Sequence, residues 1–210
     1  MKIISLGLQC SVPQGIKSAE LRSASYPFDW LWTPGRTTYQ IMKRLLEEGV
    51  SSAVEYMTTG YSYYTYMDNE HYISASTVTE CQINKETGLG NTHFPINDEY
   101  KSTLARRLKR LRTDIYSSEY LLFLYADAAN SYCNYNVDGV DYGHDATEDL
   151  SKIYDLLSEI HPNMKIIYFC WDSRMKTHTK IEHIPFTPMG HWVYIADLIR
   201  NYLIHLPPVS

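Results

Sequence analysis

The chain lacks any apolar stretch long enough to span a bilayer, and its first residues carry no apolar core of the kind that marks a secretory leader, so a membrane or exported protein is not expected and a cytoplasmic one is. Its four cysteines stand at 10, 81, 133 and 170, too few and too scattered for a disulfide framework, and none forms a Cys-x-x-Cys pair. They read as reduced thiols, and no structural zinc is implied. Histidines 71, 93, 144, 178 and 183 do not have the spacing of a ligand pair on one helix. There is no phosphate loop and no dinucleotide fingerprint; Gly88-Leu-Gly90 is a turn. Ser5, Ser11 and Ser25 have no Gly-x-Ser-x-Gly surroundings, so a serine elbow is absent as well. No cofactor is implied. A formal net charge of −5 argues against general nucleic-acid binding, which needs a positive surface to meet phosphates.

What is there is an ordinary globular composition: 210 residues, 44% apolar and 20% charged, with 19 tyrosines as the one excess. Nothing in it divides the chain, so residues 1–210 are expected to form a single domain. Tyrosines crowd Tyr61-Ser-Tyr-Tyr-Thr-Tyr66, where rings either stack on sugars or bases or pack as a strand on the core.

Two continuous apolar runs, Tyr120-Leu-Leu-Phe-Leu-Tyr125 and Lys165-Ile-Ile-Tyr-Phe-Cys170, are the mark of strands buried on both faces. Between them residues 146–160 place Leu150, Ile153, Leu156, Leu157 and Ile160 at helical spacing. Strand, helix, strand predicts an α/β fold with a mainly parallel central sheet flanked by helices, because parallel neighbours need a crossover. Ile3, Ile4 and Leu6 give a first strand ended by Gly7, with a helix from about Val12 to Leu21. Further helices are expected over 37–48, 98–116 and 192–203, and short strands or a hairpin over 53–83, broken at Gly60 and Asp68-Asn69. The 98–116 helix has a basic face of Arg106, Arg107, Lys109, Arg110 and Arg112, which either binds an anionic substrate or is a solvated face paired with the chain's own carboxylates.

Functional groups of a parallel sheet gather beyond its strands' carboxyl ends. Cys10 follows the first strand, Asp127 and Asn130 the second run, Asp172 the third, and His191 opens the last helix. A thiol near a helix N-terminus is favoured as thiolate by the unpaired N–H groups and the macrodipole, which makes Cys10 a candidate nucleophile; the alternative is a small buried apolar residue at a strand end. Asp29, between Phe28 and Trp30, is either an orienting partner for a histidine or the acceptor of an internal ion pair.

Ser5-Leu-Gly-Leu-Gln-Cys10, Leu21-Arg22 and the unusual block Ser25-Tyr-Pro-Phe-Asp-Trp30 together resemble the opening of the papain-like cysteine peptidase family otherwise known as a domain of unknown function. His93 in Asn91-Thr-His-Phe-Pro and the arginine-rich segment 104–110 fit the same pattern more loosely. The resemblance implies a thiol site, with Cys10 as nucleophile, and leaves a papain-like α+β arrangement as the alternative fold. Two histidines compete as base: His93 by its match to the family, His191 by architecture. A nucleophile after strand one and a histidine before the last helix also resembles the topology of SGNH-type esterases. This chain departs from them in having Cys10 for serine and Thr187 rather than aspartate four positions before His191. The expected activity is that of a thiol-dependent hydrolase or acyl transferase acting on a peptide, ester or glycan-like substrate. Cys10, His93 or His191 and Asp29 would do the chemistry, and Asn130, Arg107 and Trp30 would bind the substrate. The alternative is a non-catalytic, glycan-related binding protein that uses the tyrosine-rich region and the basic helix.

Overall fold

The computed structural model describes residues 1–67, 78–84, 86–91, 96–128, 136–137, 140–141, 144–187 and 192–206. In chain order, β1 (Lys2–Gly7) leads into α1 (Ser11–Ser18), and a short β2 (Leu31–Trp32) into α2 (Gly35–Glu47) and α3 (Val50–Thr58). Then come β3 (Tyr61–Met67), β4 (Val78–Asn84), β5 (Gly90–Asn91), α4 (Asp98–Ile115) and β6 (Leu121–Ala126). The two-residue strands β7 (Asn136–Val137) and β8 (Val140–Asp141) precede α5 (Thr147–Ser158), β9 (Met164–Trp171), a single 3-10 turn at Asp172–Arg174, β10 (Ile181–Phe186) and α6 (Trp192–Ile204).

The main sheet has the order β1-β6-β9-β10 and every pairing in it is parallel. The three strands expected from the apolar runs are its first three members. β6 is buried at all six positions, as a central strand covered on both faces must be. Alternation along the strands divides the core in two. Ile4, Leu6, Phe123, Tyr125, Ile166 and Tyr168 face the side covered by α2, α3, α4 and α5. Ile3, Leu122, Leu124, Ile167 and Phe169 face the side covered by α1 and α6, through Val12, Ile16, Ile195 and Ile199. The fold is therefore α/β with helices on both faces of a parallel sheet. The tyrosine-rich segment enters a separate antiparallel sheet of order β2-β5-β4-β3, in which β3 and β4 form the expected hairpin.

The short strands β2, β5, β7 and β8 were not anticipated, and two longer elements differ as well. Residues 50–58 are helical rather than extended, because Val50, Ala53, Val54 and Met57 recur at helical spacing and bring Ala53 and Met57 into the core. β10 was not anticipated; its Pro185 is tolerated because β10 is an edge strand. The link from β9 to β10 is unusual for parallel neighbours, which ordinarily need a dozen residues or more. β10 begins opposite Ile166, five residues before the end of β9 at Trp171, so the link must come back about 17 Å, which residues 172–180 cover without being fully extended. The link is pinned along α5 by Lys176 to Asp145 at 2.9 Å, just before the helix, and by Lys180 to Asp155, on it, at 2.8 Å.

α1 and α6 approach closely at Gly15. A Cβ there would lie 2.7 Å from Cβ and Cγ2 of Ile199 and 2.9 Å from the Ala196 carbonyl oxygen. Gly15→Ala is expected to destabilise the protein by about 1–3 kcal/mol despite alanine's better helix propensity, because the two helices must separate. Chemical denaturation checks this, and a stabilised variant would show that the helices part at no cost.

Candidate active site at the carboxyl edge of the sheet

β1 ends where the chain is held from both sides. Gly7 has φ +124°, and a Cβ on it would meet the Thr33 carbonyl oxygen at 2.7 Å, so only glycine fits. The Leu8 N–H donates to the Ala126 carbonyl at 3.1 Å and the Thr33 N–H to the Leu8 carbonyl at 3.0 Å. This fixes the chain beside the end of β6 just before Cys10. Cys10 is the N-cap of α1, in αR conformation and with no side-chain capping bond, and its carbonyl accepts the Gln14 N–H at 3.1 Å.

The Cys10 thiol is half-buried, and burial pushes its pKa up to about 11. The sequence expectation of a thiolate favoured by the helix end is thus reversed in the resting protein. The reason is one of magnitude. A helix N-terminus supplies about 0.3–1 kcal/mol to a nearby negative charge, less than the 1.36 kcal/mol of a single pKa unit. Desolvation of the thiolate costs more.

The strand ends next to Cys10 carry the groups anticipated there and others that were not. Asp127, 2% exposed, follows β6. Its carboxylate accepts the Tyr168 hydroxyl at 2.5 Å, the Trp171 N–H at 3.0 Å and the Arg174 Nη1–H at 2.7 Å. Burial raises the Asp127 pKa to about 6; Arg174, Tyr168 and the Trp171 N–H oppose the shift without cancelling it. Arg174 lies over the Trp171 ring, 4.1 Å from its centroid, and also donates to the His144 carbonyl at 3.3 Å. Asp172 accepts the Thr187 hydroxyl at 2.5 Å. Tyr168 and Arg174 were missed from sequence, although a tyrosine inside a fully buried run needs a partner for its hydroxyl and a cation just past the strand is a natural one. Beside them, His183 shares a hydrogen bond with Thr147 at 3.1 Å while the Thr147 hydroxyl donates to Asp145 at 2.7 Å. Nε2 of His183 therefore carries the proton, and burial holds the His183 pKa below its ordinary value.

Asp29 has the second of its two anticipated roles. It is 3% exposed and accepts from Arg22 Nη2 at 2.8 Å and from the Tyr26 N–H at 3.0 Å, an internal ion pair. Burial raises its pKa, opposed by the Tyr26 N–H and then by Arg22 and Arg107. No hydrogen bond joins it to Cys10 among the described residues. Arg107 is half-buried within electrostatic reach of Asp29 and Arg22, and burial lowers its pKa. Trp30, at φ +69°, lies beside Arg22 at 5.6 Å. The whole 25–30 block is tied to α4: the Tyr26 hydroxyl donates to Asp114 at 2.8 Å and Arg110 to the Ser25 carbonyl at 2.6 Å. Of the basic face of α4, Arg110 and Arg107 are thus drawn into the protein, while Arg106, Lys109 and Arg112 are exposed. His93, His191 and Asn130 lie outside the described residues. Among the described residues no group of three or more histidine, cysteine or acidic side chains is placed to hold a metal, and no helix is long and apolar enough to cross a membrane.

A family model described as "Putative papain-like cysteine peptidase (DUF1796)" matches residues 1–134, which include Cys10, the 25–30 block and all of α4. No curated protein and no solved structure matches the chain.

Two measurements follow from the electrostatics. Because the thiol pKa is raised, alkylation of Cys10 by a neutral reagent is expected to be slow at pH 7 and to accelerate about tenfold per pH unit towards pH 11. Site-resolved mass spectrometry checks this; a rate already at its plateau at pH 8 would contradict it. For Asp127 the folded pKa is above the unfolded one, so the folded state binds the proton more tightly and stability falls as pH rises from about 4 through about 6. Asp127→Asn lacks this slope. Subtracting the variant's unfolding free energy from the wild type's across that window should give a falling curve, and a rising one would show the carboxyl held below its ordinary value.

Proposed function

Since the chain belongs to the family described as "Putative papain-like cysteine peptidase", we propose that it is a thiol-dependent hydrolase or acyl transferase with Cys10 as nucleophile. The observation that carries this reading is the place of Cys10, at the N-cap of α1 and beyond the carboxyl end of β1, inside the matched region. A base takes the thiol proton as Sγ attacks the carbonyl carbon of an amide or ester. The developing oxyanion faces backbone N–H groups of the first turn of α1. Collapse of the tetrahedral intermediate breaks the bond to the leaving amine or alcohol, which receives the proton, and leaves a thioester on Cys10. Water or a second nucleophile then releases the acyl group.

His93 or His191 is the base, His93 being favoured by its match to the family. The raised thiol pKa makes the base indispensable: the resting enzyme holds a thiol, and the proton leaves only when substrate engages. Asp29 supports the site by holding Arg22 and the 25–30 block in place. Trp30, Arg107 and Asn130 are the proposed contacts for a peptide, ester or glycan-like substrate. The same raised pKa favours a second reading, a non-catalytic binding protein in which Cys10 is structural and the tyrosine-rich strands with α4 form the binding surface.

Cys10→Ser discriminates the two. In the first reading it unfolds within about 1 kcal/mol of wild type but forms no acyl-enzyme at position 10 with an activated acyl probe, because a serine hydroxyl is not ionised in the same surroundings. A loss of more than roughly 2 kcal/mol with acyl transfer retained per folded molecule would make Cys10 a packing residue. Among the histidines, His93→Ala is expected to suppress thioester formation while His191→Ala leaves it within about threefold of wild type. The opposite pattern would move the base to His191, and an effect from neither would end the dyad reading.

A further inference from the structure

The first turn of α1 has hydrogen-bond donors with nothing to bond. Ser11 and Val12 are its first two residues, Pro13 has no N–H, and the helical ladder begins only with the Gln14 N–H bonded to the Cys10 carbonyl. Neither the Ser11 nor the Val12 N–H meets an acceptor among the described residues, and the N-cap residue supplies none. A separate feature stands at the same place. Ser11 is 1% exposed, and its Oγ is buried without a hydrogen-bond partner. Ser11 is the first residue of the helix, so its Cβ, tilted towards the N-terminus, carries the hydroxyl on the same turn as the two N–H groups. A buried hydroxyl left unpaired keeps its desolvation cost uncompensated, which a ligand oxygen would recover.

The sign of the charge is settled by the surroundings. No acidic residue stands in the first turn, Cys10 beside it is held as the neutral thiol, and Asp127 at the neighbouring strand end is paired with Arg174, so no negative charge in the turn itself competes for the positive end of the helix dipole. We propose that the N-terminal turn of α1 is a binding site for a small oxyanion, a carboxylate or a phosphate, gripped by the N–H groups of Ser11 and Val12 and by the Ser11 hydroxyl. Donors of this kind at a helix start suit such groups without a cationic side chain. The site does not depend on reaction at Cys10: the anion binds whether or not the thiol is a nucleophile. Its occupancy places a negative charge beside Sγ and disfavours the thiolate further.

The test is a titration of the full chain with inorganic phosphate at constant ionic strength, followed by phosphorus-31 NMR. Binding of one phosphate, saturable in the millimolar range or tighter, is expected. Displacement by acetate identifies a carboxylate ligand, and binding that acetate leaves untouched identifies a phosphate ester; either supports the site. Ser11→Ala should weaken phosphate about tenfold, the effect of one lost hydrogen bond, and Ser11→Thr should restore it. In the wild type, phosphate should also slow alkylation of Cys10 by iodoacetamide several-fold, a readout that remains if Ser11→Ala fails to fold. Cys10→Ala should bind phosphate as the wild type does, which separates this site from the thiol chemistry. Absence of saturable binding, equal affinity in Ser11→Ala, or phosphate bound with no change at Cys10 would each overturn the proposal.

Discussion

The pairing of β1 with β6 is the constraint on which the rest of the molecule depends. Register runs from Lys2 opposite Leu121 to Gly7 opposite Tyr125, and the Leu8 N–H carries the ladder one residue further, to Ala126. Because the strands are parallel, both chains leave the sheet at the same edge, and Cys10 emerges beside Asp127. An antiparallel pairing of the same residues would send them to opposite ends. Gly7 makes the pairing compatible with a second contact, since the absent Cβ lets the Thr33 carbonyl approach.

The charged residues near this edge illustrate how burial governs chemistry here. Asp127, Asp29 and Cys10 all have raised pKa values, and in each case desolvation is the largest cause. Asp127 and Asp29 are each met by an arginine and by backbone N–H groups, which reduces the cost without abolishing it. At Cys10 the shift is opposed only by the residue's own backbone N–H, and the pKa stays raised. On the proposed reading, a nucleophile kept neutral at rest needs one of the chain's own histidines to take its proton as substrate engages.

The 25–30 block is fastened to its surroundings by buried polar contacts. Asp29 closes it locally through the Tyr26 N–H and Arg22, while Tyr26 reaches Asp114 and Ser25 receives Arg110 from α4. Asp114 in turn binds Lys2 at the start of β1 at 2.5 Å. One buried carboxylate thus links the block, α4 and the first strand.

The sequence by itself determined the α/β class. Unbroken apolar runs such as 120–125 can be buried only between two layers, and the helical spacing at 150–160 supplies the crossover that parallel strands need. It also placed Cys10, Asp127 and Asp172 at strand ends, because where a run stops is local information. It did not reveal α3, whose short apolar repeat over 50–57 lies within the reach of either period, or β10, whose Pro185 is acceptable only on an edge that topology creates. What the tertiary structure alone decided is which charges meet and what each meeting does. Asp127 finds Arg174, 47 residues away in the chain, Asp29 finds Arg22, and the Cys10 thiol pKa is raised rather than lowered. Each of these outcomes depends on depth from solvent, and depth is set by how distant segments cover one another, which no local pattern of residues records.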